Sequence, residues 1–350
     1  MVFQDKFLGI AITQVTRRRI ENFKANRRGF FSLWLFLILF IASLGAELIA
    51  NDKPLVVHFD NGFYFPAFKS YPETVFGGEF KTEADYRDPF LDDLINDNGW
   101  MIWPPIHFSY DTINYDLPVP SPAPPSSENW LGTDDQGRDV AARLIYGFRI
   151  SILFGLTLTI FSSIVGIAAG AIQGYFGGLT DLLFQRFIEI WSGLPVLFLL
   201  IILASITEPN FWWLLGLMLL FNWMTLEGVV RAEFLRARNF EYVRAARALG
   251  VSDTMIMFRH ILPNAMSPII VATTLSIGNI ILFESVLSFL GLGIQPPVAS
   301  WGNMLTNAQE LIWSAPGLAV WPGLLIFATV IAFNFLGDGL QDALDPRAVD

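Results

Sequence analysis

The chain has 350 residues, of which 53% are hydrophobic and 15% are charged, against about 25% charged in soluble domains. This composition excludes a disordered chain, and the apolar blocks of about 20 residues indicate a polytopic membrane protein. The net charge of −10 argues against a surface for nucleic acid, and the absence of cysteine excludes disulfides, iron–sulfur clusters and Cys-ligated zinc.

The chain begins with a basic segment, residues 1–29, followed by a first predicted span at residues 30–50. Residues 1–28 contain seven Lys or Arg and two acidic residues. A cleaved signal peptide has a shorter basic region and an apolar stretch of only about 7 to 15 residues. We therefore expect a retained helix with a cytoplasmic N-terminus.

Residues 51–143 have a different composition, rich in Pro, Asp, Tyr and Trp, with six basic and sixteen acidic residues. An acidic segment after a span with a cytoplasmic N-terminus is typical of the exported side. We predict a periplasmic insertion that ends in an extended, Pro-rich linker at residues 118–125.

Five more spans are predicted in residues 144–350, at 150–176, 184–206, 211–230, 267–292 and 317–337. An even total of six places both termini in the cytoplasm. The basic loop at residues 236–263 then lies inside, and the loop at 293–316, which lacks Lys and Arg, lies outside. The predicted fold class is an all-α polytopic membrane protein with a periplasmic insertion between its first two spans.

Three glycines, Gly166, Gly170 and Gly174, form a row on one face of the second span. Such a row lets another helix backbone approach closely. Packing within the same bundle is the simpler of its two interpretations, the other being contact with another chain.

The side chains offer little chemistry of their own. None of the five lysines follows a glycine, which excludes a P-loop, and no His, Asp or metal-ligand cluster in the spans indicates catalysis. Glu284 and Glu227 are candidates for lining a polar cavity because charged groups in spans face a bundle interior or water. A buried interhelical hydrogen bond is the equal alternative for Glu284.

The basic loop after the fourth span predicts a helix of about ten residues. Asn239 is a candidate N-cap, Glu241 stands in the first turn, and Gly250 can adopt the left-handed conformation at the end. Small residues with Leu249 could enter a cleft on another protein, whereas a basic amphipathic helix on anionic lipid is the alternative. A second helix begins after Ser252 and is ended or kinked by Pro263.

Ala245-Ala246, Gly250 and Leu262-Pro263 have the spacing of the EAA loop of ABC importer permeases, which this stretch resembles; Arg244 stands where the family has Glu. The resemblance implies a coupling helix that docks into an ATPase subunit. The residues it assigns to that contact are Glu241, Arg244, Ala245, Ala246, Leu249, Gly250, Leu262 and Pro263.

Two other stretches resemble the oligopeptide and dipeptide permeases of that family. One is their L-G-T-D-x-x-G-R-D signature, represented by Gly132, Thr133, Asp134, Gly137, Arg138 and Asp139; the other is residues 284–304, similar to their last periplasmic stretch. The enlarged insertion is most similar to the microcin C type permeases of Gram-negative bacteria.

The resemblance implies the type I ABC importer permease fold in the bacterial inner membrane. It also implies a heterodimer with a second permease, two ATPase subunits that bind ATP and Mg, and a periplasmic binding protein that delivers oligopeptides, including microcin C-like peptides. This chain would be no enzyme and would hold no cofactor or metal. The main alternative is an ion-coupled secondary transporter with glutamates as carriers, although no inverted repeat supports it; a membrane-anchored enzyme or receptor is a third.

Overall fold

The structure is a computed structural model that describes residues 6–7, 10–11 and 14–345. The chain forms two compact units. Unit 1 takes in the chain up to Leu37, Leu153–Glu284 and the chain from Ile326 on, and unit 2 takes in Ile38–Ile152 and Ser285–Leu325.

Helices dominate the described residues, and the strands are short. The strands are β1 (Lys6–Phe7), β2 (Ile10–Ala11), β3 (Val56–Phe59), β4 (Gly62–Tyr64) and β5 (Gly99–Ile102). The helices are α1 (Gln14–Ala25), α2 (Arg27–Leu44), α3 (Pro89–Asn98), α4 (Val140–Phe176), α5 (Gly178–Ser192), α6 (Val196–Ala204), α7 (Phe211–Ala237), α8 (Glu241–Ala248), α9 (Asp253–Met255), α10 (Leu262–Phe289), α11 (Trp301–Ala308) and α12 (Gly317–Leu344).

Among the described residues, five helices are long and apolar enough to cross a membrane: α2, α4, α7, the continuous stretch Asp253–Phe289 that ends with α10, and α12. The pair α5 and α6, bent by 59°, makes a sixth span if it counts as one. The third predicted span, residues 184–206, falls on this pair, and the structure adds a break within it at residues 193–195. Pro195 explains the break, because it lacks an amide hydrogen and disfavours helical geometry at Leu194.

The first span is also shorter than predicted. α2 ends at Leu44, and a 3₁₀ turn at Ala46–Leu48 follows Gly45. Within unit 2, Arg149 Nη1 donates to Glu47 Oε1 at 2.8 Å, so the acidic residue at the end of the predicted span has a charged partner.

The glycine row packs α4 against α7 inside unit 1. A Cβ added at Gly166 would lie 2.7 Å from the backbone oxygen of Trp223, and one at Gly170 would lie 2.6 Å from that of Glu227. At Gly174 a Cβ would lie 2.5 Å from the Cβ of Phe234. These distances are shorter than real contacts, so only glycine allows the two helices this approach. The simpler interpretation, packing within one bundle, is confirmed.

The insertion in unit 2 has its own small fold. β3 lies between β4 and β5 in a three-stranded antiparallel sheet, with Val57 opposite Met101 and Tyr64. α3 begins at Pro89, where the Asp88 side chain accepts the Phe90 amide at 2.8 Å. A hydrophobic cluster around this sheet and α3 contains the buried side chains of Val57, Phe59, Phe76, Ala84, Tyr86, Leu91 and Ile95. An internal core of this kind indicates a folded module rather than a linker.

Candidate functional site

The short helix α8 in the basic loop begins one residue later than predicted. Phe240 occupies the N-cap position with extended backbone and makes no side-chain cap bond. The predicted cap, Asn239, instead donates to the Leu235 carbonyl of α7 at 3.4 Å. The helix therefore has eight residues rather than about ten, with Glu241 in its first turn, where the helix dipole favours a negative charge.

The end of α8 is a Schellman motif centred on Gly250. The Gly250 amide donates to the Arg247 carbonyl at 3.0 Å, and the Val251 amide donates to the Ala246 carbonyl at 3.2 Å. Gly250 has φ of +78°, the left-handed region that glycine adopts without strain. The left-handed conformation predicted for this residue is present.

The inner face of α8 is fixed to the membrane helices of unit 1. Val243 and Ala246 are buried in one cluster with residues of α4, α7 and α10. Beside them, the Arg247 guanidinium lies 5.2 Å from the centre of the Tyr175 ring, and the Tyr175 hydroxyl donates to Asp253 Oδ1 at 2.5 Å. The contacts of Val243, Ala246 and Arg247 attach α8 to the bundle along its buried face.

The outer face of α8 is open to solvent. Tyr242, Ala245 and Leu249 are all exposed and follow one another at spacings of three and four, which places them on one helix face. The Leu249 side chain is 83% exposed. Glu241 and Arg244 are exposed beside this apolar stripe. A small apolar surface flanked by both signs of charge is compatible with a protein partner. Helices that bind anionic lipid typically have a uniformly basic polar face instead.

The second half of the loop differs from the prediction for Pro263. A π-helical turn, Ile256–Ile261, joins α9 to α10 without interruption, and Pro263 is exposed in the first turn of α10. The helix continues through Pro263, so the predicted end of the helix at this residue is wrong, and a kink there stays a prediction. Leu262 packs against the same cluster as Val243.

The signature at residues 130–139 organises the start of α4 within unit 2. The Asp139 carboxylate accepts the Ala142 amide at 2.7 Å and the Asn129 amide group at 2.8 Å, which makes it the cap of this long helix. Burial raises the pKa of Asp139, and these hydrogen bonds oppose the shift.

The other charged members of the signature pair with each other. Asp134 accepts from Arg138 Nε at 2.7 Å and lies 3.5 Å from Arg143 Nε, and all three residues are buried. Gly132 and Gly137 both have φ of +80°, and the Thr133 hydroxyl accepts the Ala123 amide at 2.9 Å. The motif therefore has a clear structural task, which is to hold the linker against the first turn of α4.

A groove of about 380 Å³ lies in unit 1 between the middle parts of α7 and α10 and the start of α6. Four neutral polar side chains line it, and apolar residues complete its walls. The polar residues are Asn222, Thr225, Ser276 and Asn279.

The two predicted cavity residues, Glu227 and Glu284, are not among those that line this groove. Both are buried, and the Glu227 carboxylate accepts from Gln185 Nε2 at 3.3 Å. Their part in a substrate path stays a prediction. The four neutral residues were not predicted from sequence, because neutral polar side chains are less conspicuous in a span than charged ones. Their signal was present as two polar pairs at spacing three, each beside apolar residues of its span.

Residues 144–350 match the protein family described as "Binding-protein-dependent transport system inner membrane component". The inner membrane ABC transporter permease protein YejE of Escherichia coli (strain K12) is 50% identical over 341 residues, 96% of this chain and 98% of that protein. The peptidoglycan transport system permease protein YejE of Agrobacterium fabrum is 51% identical over 360 residues, 95% of this chain and 93% of that protein. The dipeptide transport system permease protein DppC of Bacillus subtilis is 41% identical over 225 residues, 64% of this chain and 70% of that protein.

These similarities confirm the expected type I importer fold and argue against the ion-coupled alternative. In this family the permease spans the inner membrane, while ATP is hydrolysed by partner subunits and the cargo comes from a binding protein. With a family match over more than half its length and a relative that covers nearly all of it, the chain belongs to the binding-protein-dependent inner membrane components, the permease subunits of ABC importers.

Proposed function

We propose that this chain is one of two different permease subunits that together carry oligopeptides, including microcin C-like peptides, across the inner membrane. A periplasmic binding protein delivers the peptide, and two ATPase subunits with ATP and Mg drive the cycle. The names of the relatives support the substrate class, because one refers to peptidoglycan and another to dipeptides, and both cargoes contain peptide bonds.

The coupling role of α8 rests on one observation, the exposed apolar stripe on a helix attached to the bundle. Tyr242, Ala245 and Leu249 form the face that docks into an ATPase subunit, with Glu241 and Arg244 at its edge. Gly250 ends the helix, and Leu262 packs against the cluster that contains its buried face. When ATP closes the ATPase subunits, α8 moves with them, and its packing on α7 and α10 carries that motion into the helices that line the groove.

The docking surface can be tested with Leu249→Asp. A carboxylate in the centre of an apolar contact must lose its water without gaining a partner, so we expect the ATPase subunits to stop co-purifying with the permease. Phe68→Asp is the matched control, since Phe68 is 69% exposed and belongs to the insertion. Retention of the ATPase subunits by Leu249→Asp, or their loss in the control, would contradict the proposed surface.

The proposed orientation places the insertion in the periplasm and both termini in the cytoplasm. Because the chain has no cysteine, single cysteines report it directly. Ser70→Cys, at an exposed position of the insertion, should react with an impermeant thiol reagent in cells with a permeabilised outer membrane. Arg236→Cys, exposed at the end of α7, should react only after the inner membrane is opened. The reverse pattern would invert the topology.

A further inference from the structure

The groove between α7 and α10 has polar side chains at a depth where contact with lipid would be unfavourable. Asn222 is the twelfth residue of α7, and Ser276 is the fifteenth of α10, so both stand near the middle of helices with 27 and 28 residues. At about 1.5 Å per residue, Asn222 lies about 16 Å from one end of α7 and about 22 Å from the other. Polar groups at that depth normally face a bundle interior or a water-filled path.

Two of the four polar side chains form hydrogen bonds within the described residues, and the other two do not. The Asn222 amide donates to Ser162 Oγ at 3.2 Å, and the Ser276 hydroxyl donates to the Thr273 carbonyl at 2.7 Å. Asn279 and Thr225 are exposed, and neither side chain hydrogen-bonds another residue within 14–345. An exposed primary amide in a membrane span is costly unless water, cargo or a partner satisfies it.

The chemistry of the groove selects a class of cargo. A primary amide supplies both donors and an acceptor, and a hydroxyl supplies one of each, which is the set that peptide bonds require. No Lys, Arg, Asp or Glu lines the groove, while Met218, Phe221 and Phe283 provide adaptable apolar walls. Such a surface can bind a peptide backbone and stays indifferent to the charge of the cargo's side chains.

We propose that Asn222, Thr225, Ser276 and Asn279 form this subunit's share of the peptide path and bind the backbone of the passing cargo. This inference rests on the proposed function, and it names the residues that make the path tolerant of both acidic and basic peptides. The other occupant of this face, the second permease subunit, is an outcome of the tests below.

A charge introduced at Asn279 tests the path directly. Uptake of a Lys-containing and a Glu-containing tripeptide is measured with the complete transporter in proteoliposomes. Asn279→Asp should raise the Lys-to-Glu uptake ratio by about fivefold, and Asn279→Lys should lower it by a similar factor, because a charge in the path attracts one peptide and repels the other. A face buried against the second permease would lose uptake of both peptides equally, and an unchanged ratio in both variants would overturn the inference.

Neutral variants supply the matched control for folding. Thr225→Val should reduce uptake of both peptides several-fold, whereas Thr274→Val should leave it near wild type, because Thr274 is buried and donates to the Ile270 carbonyl of its own helix. Equal behaviour of the two variants would contradict a path at Thr225.

If the charged variants fail to assemble, the accessibility of a single introduced thiol tests the path instead. Asn279→Cys should react with a small water-soluble thiol reagent, and excess peptide should slow that reaction, while Ile160→Cys, an exposed apolar position of α4, should stay unreactive. An unreactive Asn279→Cys would overturn the inference. A wild-type complex that imports no peptide at all would instead refute the proposed function, so the two failures are distinguishable.

Discussion

Gly250→Val is expected to uncouple ATP hydrolysis from transport while the permease still inserts and assembles. The residue has φ of +78°, and a β-branched side chain in that region costs about 1–3 kcal/mol. Apart from its chain neighbours, no described residue has an atom within 4 Å of the added Cβ, so the penalty comes from the backbone and not from a clash. The easiest relief is to unwind the last turn of α8, which moves the exposed stripe that ends at Leu249.

The measurement is substrate-stimulated ATP hydrolysis by the reconstituted complex at equal assembly. We expect Gly250→Val to lose most of the stimulation and Gly250→Asn to keep much of it, since asparagine tolerates the left-handed region better than other non-glycine residues. Arg244→Glu should also be tolerated, because Arg244 is exposed and the EAA loops that this stretch resembles have Glu there. Full stimulation with Val at 250, or a larger loss with Arg244→Glu, would show that α8 is not a lever of this kind.

Gly170→Ala is expected to destabilise the bundle of unit 1, because the added methyl group would overlap the backbone of α7. The new Cβ would meet the Glu227 carbonyl oxygen at 2.6 Å and the Val230 Cβ at 2.8 Å, and the Glu227 carbonyl is part of a helix backbone that cannot rotate away. Overpacking of this type costs about 1–3 kcal/mol, and separating α4 from α7 would also disturb the adjoining core.

Thermal unfolding of the detergent-solubilised protein, together with its yield, measures this effect. Gly216→Ala is the matched control because Gly216 belongs to α7 and an added Cβ there has no atom within 4 Å. We expect a clear fall in melting temperature for Gly170→Ala and little change for Gly216→Ala. Equal melting temperatures would mean that α4 and α7 do not pack as closely as this geometry requires.

Local features of the chain could be predicted from sequence because their causes are local. Hydropathy over about 20 residues marks the spans, since each helix must satisfy its own backbone in the membrane. The end of α8 is also local, because it depends on the φ angle of a single residue, Gly250. Family motifs in residues 130–139 and 245–263 narrowed the function class further, to an importer permease.

Other features were decided only by residues that are far apart in sequence. The insertion's sheet pairs Val57 with Met101, and neither strand contains information about its partner. Which face of α8 is buried depends on contacts with α4, α7 and α10. The sequence shows its small residues but does not distinguish Ala246, which is buried, from Ala245, which is exposed.

The groove shows the same division most clearly. Asn222 and Asn279 are separated by 57 positions, and the sequence of neither helix shows that the two residues lie on one surface. Only the packing of α7 beside α10 brings the two polar pairs to one surface, because the rotation of each helix about its axis is set by its neighbours and not by its own composition. The spans and the helix that ends at Gly250 were therefore determined by sequence, whereas the polar surface of the groove was determined by tertiary structure.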